Sequence, residues 1–402
     1  MKAVIYGAGN IGRGFIARLL AAAGYEIIFI DTVVSLINGL NSEKQYPVRL
    51  LSAEGSRDIL VEGVRAINGL DAEKAAQAIA ESDIMATAVG VRVLPLIAPV
   101  IAAGLKKRFG TTKEPLNIII CENLIDADTV LAGQIKKYLN NDEAKQIDET
   151  KQIIERTGFI KASIGCMVPV QTEAMKDGSS LRICTEDYGK MPVDKKAFRG
   201  EIPAVNGMEA YENFSFYMER KLFIHNLGHG VCAYLGMYAG EEFIYQAAAR
   251  PDILFMAQNA MFESAMALSK LHNEPITDLY SHIMDLLRRF SNRALGDTCL
   301  RVGADTSRKL GPKDRFIGAI RCCLNAGIKP NFISAGAAAA IFRHLKEQGK
   351  PQSKEEAGRV LGEVSSIAPD TAEAALVLPM YQLLLRENAI EKITKEILSS
   401  CR

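Results

Sequence analysis

The chain has 402 residues, 48% of them hydrophobic and 24% charged, with 48 basic against 47 acidic side chains and a formal net charge of +1. That length accommodates two or three domains with proper cores, and the near-neutral balance gives no global electrostatic reason to hold nucleic acid or an anionic membrane, a local basic pocket aside. No uninterrupted apolar run reaches the roughly 18 residues of a membrane span, and the sequence opens straight into MKAVIYGAGNIGRG with no cleavable signal, so a cytoplasmic protein is expected.

In chain order, the first half alternates short β-rich runs with helical stretches. Strands are expected at 2–6, 26–30, 83–89, 116–121 and 159–164, several of them continuously apolar, as strands buried on both faces are. This pattern implies a parallel sheet with helices on both sides. Beyond Tyr211 the strand signals fade, and helical periodicity runs through 216–239, 241–269, 276–290, 315–324, 334–348 and 371–398. Two prolines, two glycines and a charge cluster within 191–207 interrupt both patterns, so a division into 1–195 and 196–402 is expected. The segment 349–354, GKPQSK, reads as a solvated connection between helices. The eight cysteines (Cys121, Cys166, Cys184, Cys232, Cys299, Cys322, Cys323 and Cys401) form no CxxC pair and sit mostly in apolar surroundings. Reduced packing thiols are expected, rather than disulfides or a zinc cluster.

The first strand runs into Gly7-Ala8-Gly9-Asn10-Ile11-Gly12, and a helix then continues through 15–23. In that setting Gly7 serves a tight turn, Gly9 lets backbone amides approach a pyrophosphate, Asn10 and Ile11 complete the loop, and Gly12 lets the helix pack close to the strand. Arg13 brings a cation into the first helical turn, where it opposes the macrodipole unless an anion is present. A bound pyrophosphate would supply that anion. Asp31, nineteen residues beyond Gly12, can accept hydrogen bonds from the adenosine ribose hydroxyls. The following Thr32-Val33-Val34 has no arginine for a 2′-phosphate, so NAD is favoured over NADP. A Rossmann dinucleotide-binding domain is therefore expected, glycines that serve only a turn being the alternative. Val89 and Gly90, where the third candidate strand runs out, are expected at the nicotinamide edge of the crevice.

The second informative stretch is ERKLFIHNLGHGVCAYL, 219–235. At about 100° per residue, Lys221, His225, Asn226 and His229 fall within about 140° of arc, opposite Phe223, Ile224, Leu227, Val231, Tyr234 and Leu235. A solvated face is one reading. A zinc site is another, but HExxH is missing and no third ligand stands out among five histidines. The third reading is catalytic. Oxidising an alcohol with NAD needs a base for the hydroxyl proton and donors for the alkoxide, roles open to a lysine whose pKa is lowered by burial and to an asparagine amide.

Lys221, Asn226 and His229 form K-x4-N-x2-H, and ERKLFIHNLGHGVCAYLG resembles the signature of the polyol-specific long-chain dehydrogenases. The likeness extends to GAGNIGRGF at the start, TAVG at Thr87, CEN at Cys121, and RVG and RKL between Arg301 and Leu310. It implies an α/β N-terminal Rossmann domain, a mostly α-helical C-terminal domain for substrate and catalysis, a reaction in the cleft between them, NAD as cofactor and no metal. Residue by residue, it implies that Lys221 is the general base, that Asn226 and Asn123 hold the oxyanion and that His229 positions a substrate hydroxyl. A loop-capping amide is the other reading of Asn123. The substrate implied is a polyol or ketose, phosphorylated or free, with mannitol 1-phosphate and fructose 6-phosphate the expected pair and neither nucleic acid nor membrane a partner. A sugar acid of the fructuronate type or a free hexitol is the alternative, and a catalytically silent NAD-sensing protein is the alternative from another class.

One departure bears on the substrate. Before Met167-Val168-Pro169, where many of these enzymes carry Asp-Arg, this chain has Gly165-Cys166, which can make neither an ion pair nor a charged substrate contact. The basic run Arg301, Arg308, Lys309, Lys313, Arg315 offers paired donors for a sugar phosphate, and a solvated face is its other reading.

Overall fold

A computed structural model of the chain describes residues 1–112, 114–139, 146–386 and 390–400. It divides into two compact units, Met1–Phe214 and Ser215–Arg402.

The first unit is built on strands β1 (Lys2–Tyr6), β2 (Glu26–Asp31), β3 (Gln45–Leu51), β4 (Ser56–Glu62), β5 (Val64–Asn68), β6 (Ile84–Thr87), β7 (Leu116–Ile120) and β8 (Thr157–Lys161). Six of them form one parallel sheet in the order β5-β2-β1-β6-β7-β8, the doubly wound order whose direction reverses beside β1. The apolar runs of β1 and β2 follow from burial on both faces. Ala3, Ile5, Ile27 and Phe29 pack against Phe15, Ile16 and Leu20, whereas Val4, Tyr6, Ile28 and Ile30 pack toward Ile79, Leu94 and Ile101 on the opposite face. β3 pairs antiparallel with β4 and parallel with β9 (Ile183–Glu186) in a small second sheet, and neither that sheet nor β5 was expected from the sequence. Buried positions in β3, β4 and β5 are interrupted by half-buried or exposed ones, several of them charged, and β9 has only four residues, so none carries a long continuous apolar signal.

The expected boundary at 195/196 needs correction. Strands β10 (Met191–Asp194) and β11 (Met208–Tyr211) pair in parallel across the segment read as a hinge, and the bridge between Ala162 and Val193 ties it back to the first unit. The changeover comes at Phe214, because backbone pairing holds this proline- and glycine-containing stretch in the sheet-bearing unit.

The second unit is helical. The expected segment 276–290 is helix Ile276–Phe290, and 334–348 is helix Asn331–Glu347. The expected 241–269 is broken into Ile244–Ala249 and Pro251–His272, since Pro251 takes the first-turn position that its missing N–H and fixed φ favour. The expected 371–398 holds helices Ala372–Arg386 and Ile390–Ser400, and its positions 387–389 lie outside the described residues. Segment 349–353 connects Asn331–Glu347 to Lys354–Glu363, as expected. Seven cysteines are buried and in no disulfide among the described residues, while Cys401 lies outside them. Among the described residues no helix is long and apolar enough to cross a membrane.

Candidate active site

In the first unit, the glycine loop has the geometry its residue types suggest. Gly7 has φ +101°, and a Cβ there would collide with the Ala88 carbonyl. A Cβ on Gly12 would collide with the Gly7 carbonyl, so the helix start can approach the strand only without a side chain. Nothing stands within 4 Å of a Cβ position on Gly9, which leaves open space beside the backbone of Asn10 and Ile11 at the helix start. These features fit a pyrophosphate lying against the loop.

The Asp31 carboxylate serves the loop itself. Oδ2 accepts the Ala8 amide at 2.7 Å, and Oδ1 accepts the amides of Thr32 and Val33 at 2.7 and 3.0 Å. The group is half-exposed and keeps acceptor capacity for a ribose diol. Arg13 differs from the expectation. Its guanidinium folds inward, Nε donating to the Ala8 carbonyl at 2.7 Å and Nη1 to the Leu181 carbonyl at 2.6 Å. The side chain braces the loop, so the helix start needs no anion to hold this cation in place, and burial lowers its pKa.

Glu122 was not singled out by the sequence reading, although it is the middle residue of the CEN triplet. Its buried carboxylate accepts the amides of Val89 and Gly90, both at 2.9 Å, which fixes the loop after β6. Asn123 follows it, exposed beyond the carboxyl end of β7. At the Gly165-Cys166 departure, Cys166 is buried with Sγ 3.1 Å from Thr185 Oγ1, and the Met167 amide donates to buried Glu186 at 3.0 Å.

The second unit holds the other expected residues on one bent helical run. Helix Phe214–Arg220 passes into a π turn, Lys221–His225, and then into helix Asn226–Ala239. The Asn226 amide donates to the Lys221 carbonyl, an i to i+5 bond. A regular helix would turn Asn226 well away from Lys221. The wider turn stacks the two residues along one side, and His229 follows three positions later. The uniform 100° wheel therefore does not apply, nor does the solvated face: His225 is 6% exposed and the His229 side chain 13%.

Burial pulls His229 down to a pKa of about 4 against the pull of the Asp297 carboxylate, with Arg301 and Arg315 adding to the decrease, so its imidazole is neutral near pH 7. The ring stacks on Phe290 at 4.9 Å and 9°. Nε2 has no hydrogen-bond partner among the described residues and lies 3.6 Å from Asp297 Oδ2. Burial, followed by Arg289, His229, His282 and Lys221, holds His225 well below the usual histidine range.

Asp297 was also not singled out. It links His229 to Arg301, whose Nε donates to Oδ1 at 2.6 Å and whose Nη2 reaches Oδ2. The D-x3-R spacing was the available signal. Arg308 is held by Asp305 at 2.7 Å and Asp314 at 3.0 Å, and Arg315 by Asp314 at 2.9 Å. Arg315 Nη1 also donates to the Asn226 carbonyl at 3.3 Å, which ties the basic run to the catalytic-type helix. Lys309 is buried, with Nζ on the Ala304 carbonyl, and burial together with Arg315 and Arg308 brings its pKa down to about 8. Of the basic run, Arg301, Arg308 and Arg315 thus pair with aspartates, and Arg301, Arg308 and Lys313 are exposed while Lys309 and Arg315 are buried.

The mannitol dehydrogenase Rossmann domain model matches residues 1–207, and the mannitol dehydrogenase C-terminal domain model matches 213–394. Mannitol-1-phosphate 5-dehydrogenase of Brevibacillus brevis (strain 47 / JCM 6285 / NBRC 100599) is 38% identical over 341 residues, covering 85% of this chain and 86% of that one. Two solved structures share the fold. D-sorbitol dehydrogenase in substrate-free form has TM-score 0.77 at 15% identity, covering 98% of this chain and 94% of its own. The Pseudomonas fluorescens mannitol 2-dehydrogenase ternary complex with NAD and D-mannitol has TM-score 0.75 at 16% identity, covering 99% and 94%. With both domain models matched in order along nearly the whole chain, this protein belongs to the mannitol dehydrogenase family of polyol oxidoreductases.

Proposed function

We propose that the chain is an NAD-dependent cytoplasmic dehydrogenase that interconverts mannitol 1-phosphate and fructose 6-phosphate, with Lys221 as general base. The observation that carries the reading is the π turn, whose Asn226-to-Lys221 backbone bond supports a shared side for the lysine and the asparagine on the helical run that also carries the neutral His229. The 38% identity to a mannitol-1-phosphate 5-dehydrogenase supports the choice of sugar.

NAD, held by Gly7, Gly9, Asn10, Ile11, Gly12, Arg13, Asp31, Val89 and Gly90, supplies the hydride acceptor when bound. The chain's own groups manage the oxygen. Lys221 Nζ takes the hydroxyl proton, and the amides of Asn226 and Asn123 donate to the oxygen as charge develops on it. His229, neutral at working pH, positions a neighbouring hydroxyl by hydrogen bonding rather than by charge. Arg301, Arg308 and Lys309 hold the phosphate.

The test is turnover of NADH with fructose 6-phosphate, fructose, fructuronate and tagaturonate. Fructose 6-phosphate is expected to give the highest kcat/KM. Equal efficiency with fructose removes the phosphate assignment, preference for either acid selects the sugar-acid alternative, and tight NADH binding without turnover on any of them makes the chain a sensor.

A further inference from the structure

Asp297 stands in a segment that backbone contacts hold in place. Its carbonyl accepts the Ile244 amide at 2.9 Å, the Cys299 amide donates to the Glu242 carbonyl at 2.8 Å, and Phe243 and Thr298 form an antiparallel bridge between those two bonds. This brings a carboxylate that is 7% exposed to the edge of the His229 ring. Arg301 steadies the carboxylate from the other side, Nε donating to Oδ1 at 2.6 Å and Nη2 to Oδ2. A carboxylate oxygen has two lone pairs, so Oδ2 keeps one for a further donor.

The atom nearest to that lone pair on the catalytic-type helix is His229 Nε2, at 3.6 Å, buried and without a hydrogen-bond partner among the described residues. At this distance the contact is electrostatic rather than a hydrogen bond, and its sign still matters. Burial brings the ring's pKa to about 4 and Arg289, Arg301 and Arg315 oppose a second proton, so near neutral pH the ring carries one proton on one nitrogen. An N–H on Nε2 is attracted by the carboxylate, whereas a lone pair there is repelled. Phe290, stacked on the ring at 4.9 Å and 9°, fixes the plane and is indifferent to which nitrogen holds the proton. We propose that Asp297 is a positioning residue that keeps the His229 proton on Nε2, so that Nδ1 accepts a hydrogen bond from a substrate hydroxyl. The hydroxyl contact rests on the reading of His229 as the group that positions a hydroxyl; the tautomer does not.

The test is nitrogen NMR of histidine-labelled protein near neutral pH, in which two-bond nitrogen–proton correlations separate the two tautomers. With five histidines in the chain, His229→Gln assigns the signal by its loss. The wild type is expected to show a protonated Nε2 and an unprotonated Nδ1, and the reverse overturns the proposal. An asparagine side chain can donate as well as accept, so Asp297→Asn is expected to move the proton toward Nδ1. It is also expected to lower kcat on the ketose about tenfold or more, the scale of one charge-assisted contact, with KM for NADH unchanged. Rescue by Asp297→Glu is not required, because Arg301 would draw the longer side chain to itself. In a His229→Gln background, Asp297→Asn is expected to cost less than about twofold further; an undiminished loss there shows that Asp297 acts through Arg301 alone and overturns the proposal. If Asp297→Asn fails to fold, the wild-type spectrum still decides the tautomer. No turnover of any ketose, with the proton on Nε2, removes the catalytic reading and the hydroxyl contact together and leaves the tautomer standing, whereas turnover with the proton on Nδ1 does the opposite.

Discussion

At the scale of single residues, Lys221 and Asp31 carry the most consequence. Lys221→Ala is expected to lower turnover by about a hundredfold or more, the lower end of an acid–base contribution, while NADH affinity changes little. A variant within a few-fold of wild type in steady-state assay returns Lys221 to a structural role. Asp31 binds the amides of Ala8, Thr32 and Val33, so Asp31→Ser alters two things at once. It is expected to narrow the preference for NAD over NADP, chiefly by improving NADP affinity, and to loosen the loop that presents the pyrophosphate amides. Equal use of both cofactors by the wild type would contradict the ribose assignment. Arg308 Nε and Nη1 are engaged by Asp305 and Asp314, so Arg308→Ala tests whether Nη2 reaches phosphate. If it does, kcat/KM for fructose 6-phosphate drops about tenfold or more, with fructose unaffected.

Among the elements, the π turn is where local spacing becomes chemistry. K-x4-N has no common face on a regular helix, and only the i to i+5 bond from Asn226 to Lys221 stacks the two residues. Inserting one alanine after the half-buried Leu222 should rotate Lys221 by about 100° relative to Asn226, because the wide turn already takes up one extra residue. Activity is expected to fall as far as in Lys221→Ala, with helical circular dichroism retained; near wild-type kcat would show that the wide turn has no part in catalysis. The legibility of other elements followed the same physics. Helix Ile276–Phe290 was readable to the residue because one strongly amphipathic face packs inward. β5 and the β3–β4–β9 sheet were not, since half-buried or exposed polar positions such as Arg49, Arg57 and Asp58 blur their periodicity.

For the whole molecule, the buried carboxylate of Glu263 governs part of the pH dependence of stability. It sits in helix Pro251–His272 and accepts the amides of Phe332 and Ile333 at the start of helix Asn331–Glu347. Burial raises its pKa to about 7, outweighing those amides, which favour the charged form. Since an unfolded glutamate titrates near about 4.3, the native state binds the extra proton across that window. The contribution is full below the unfolded value and is lost as pH rises through about 7, on the order of 3 kcal/mol in all. His225 and His229, with depressed values, act in the opposite sense as pH falls below about 6.5, so the comparison must be with a variant. Glu263→Gln is expected to gain stability relative to wild type between pH 5 and pH 8 in urea unfolding. A constant difference across that range would show that Glu263 does not titrate there.

What the sequence by itself determined is the local part: the glycine loop, whose backbone demands are met only by missing side chains at Gly7 and Gly12, and the apolar periodicities of buried strands and amphipathic helices. Those signals act over a few residues, and K-x4-N-x2-H lay within the same range. Only the tertiary structure decided how such residues are used. Arg13 turns inward because Leu181, far along the chain, offers a carbonyl; Glu122 clamps Val89 and Gly90; Asp297 sits between His229 and Arg301; and 191–207 stays with the first unit because β10 finds β11. Apart from the i, i+4 pair Asp297–Arg301, each is a contact between positions well separated in sequence, and in a buried setting the need to satisfy a charge or a backbone group outweighs the local preference that sequence patterns record.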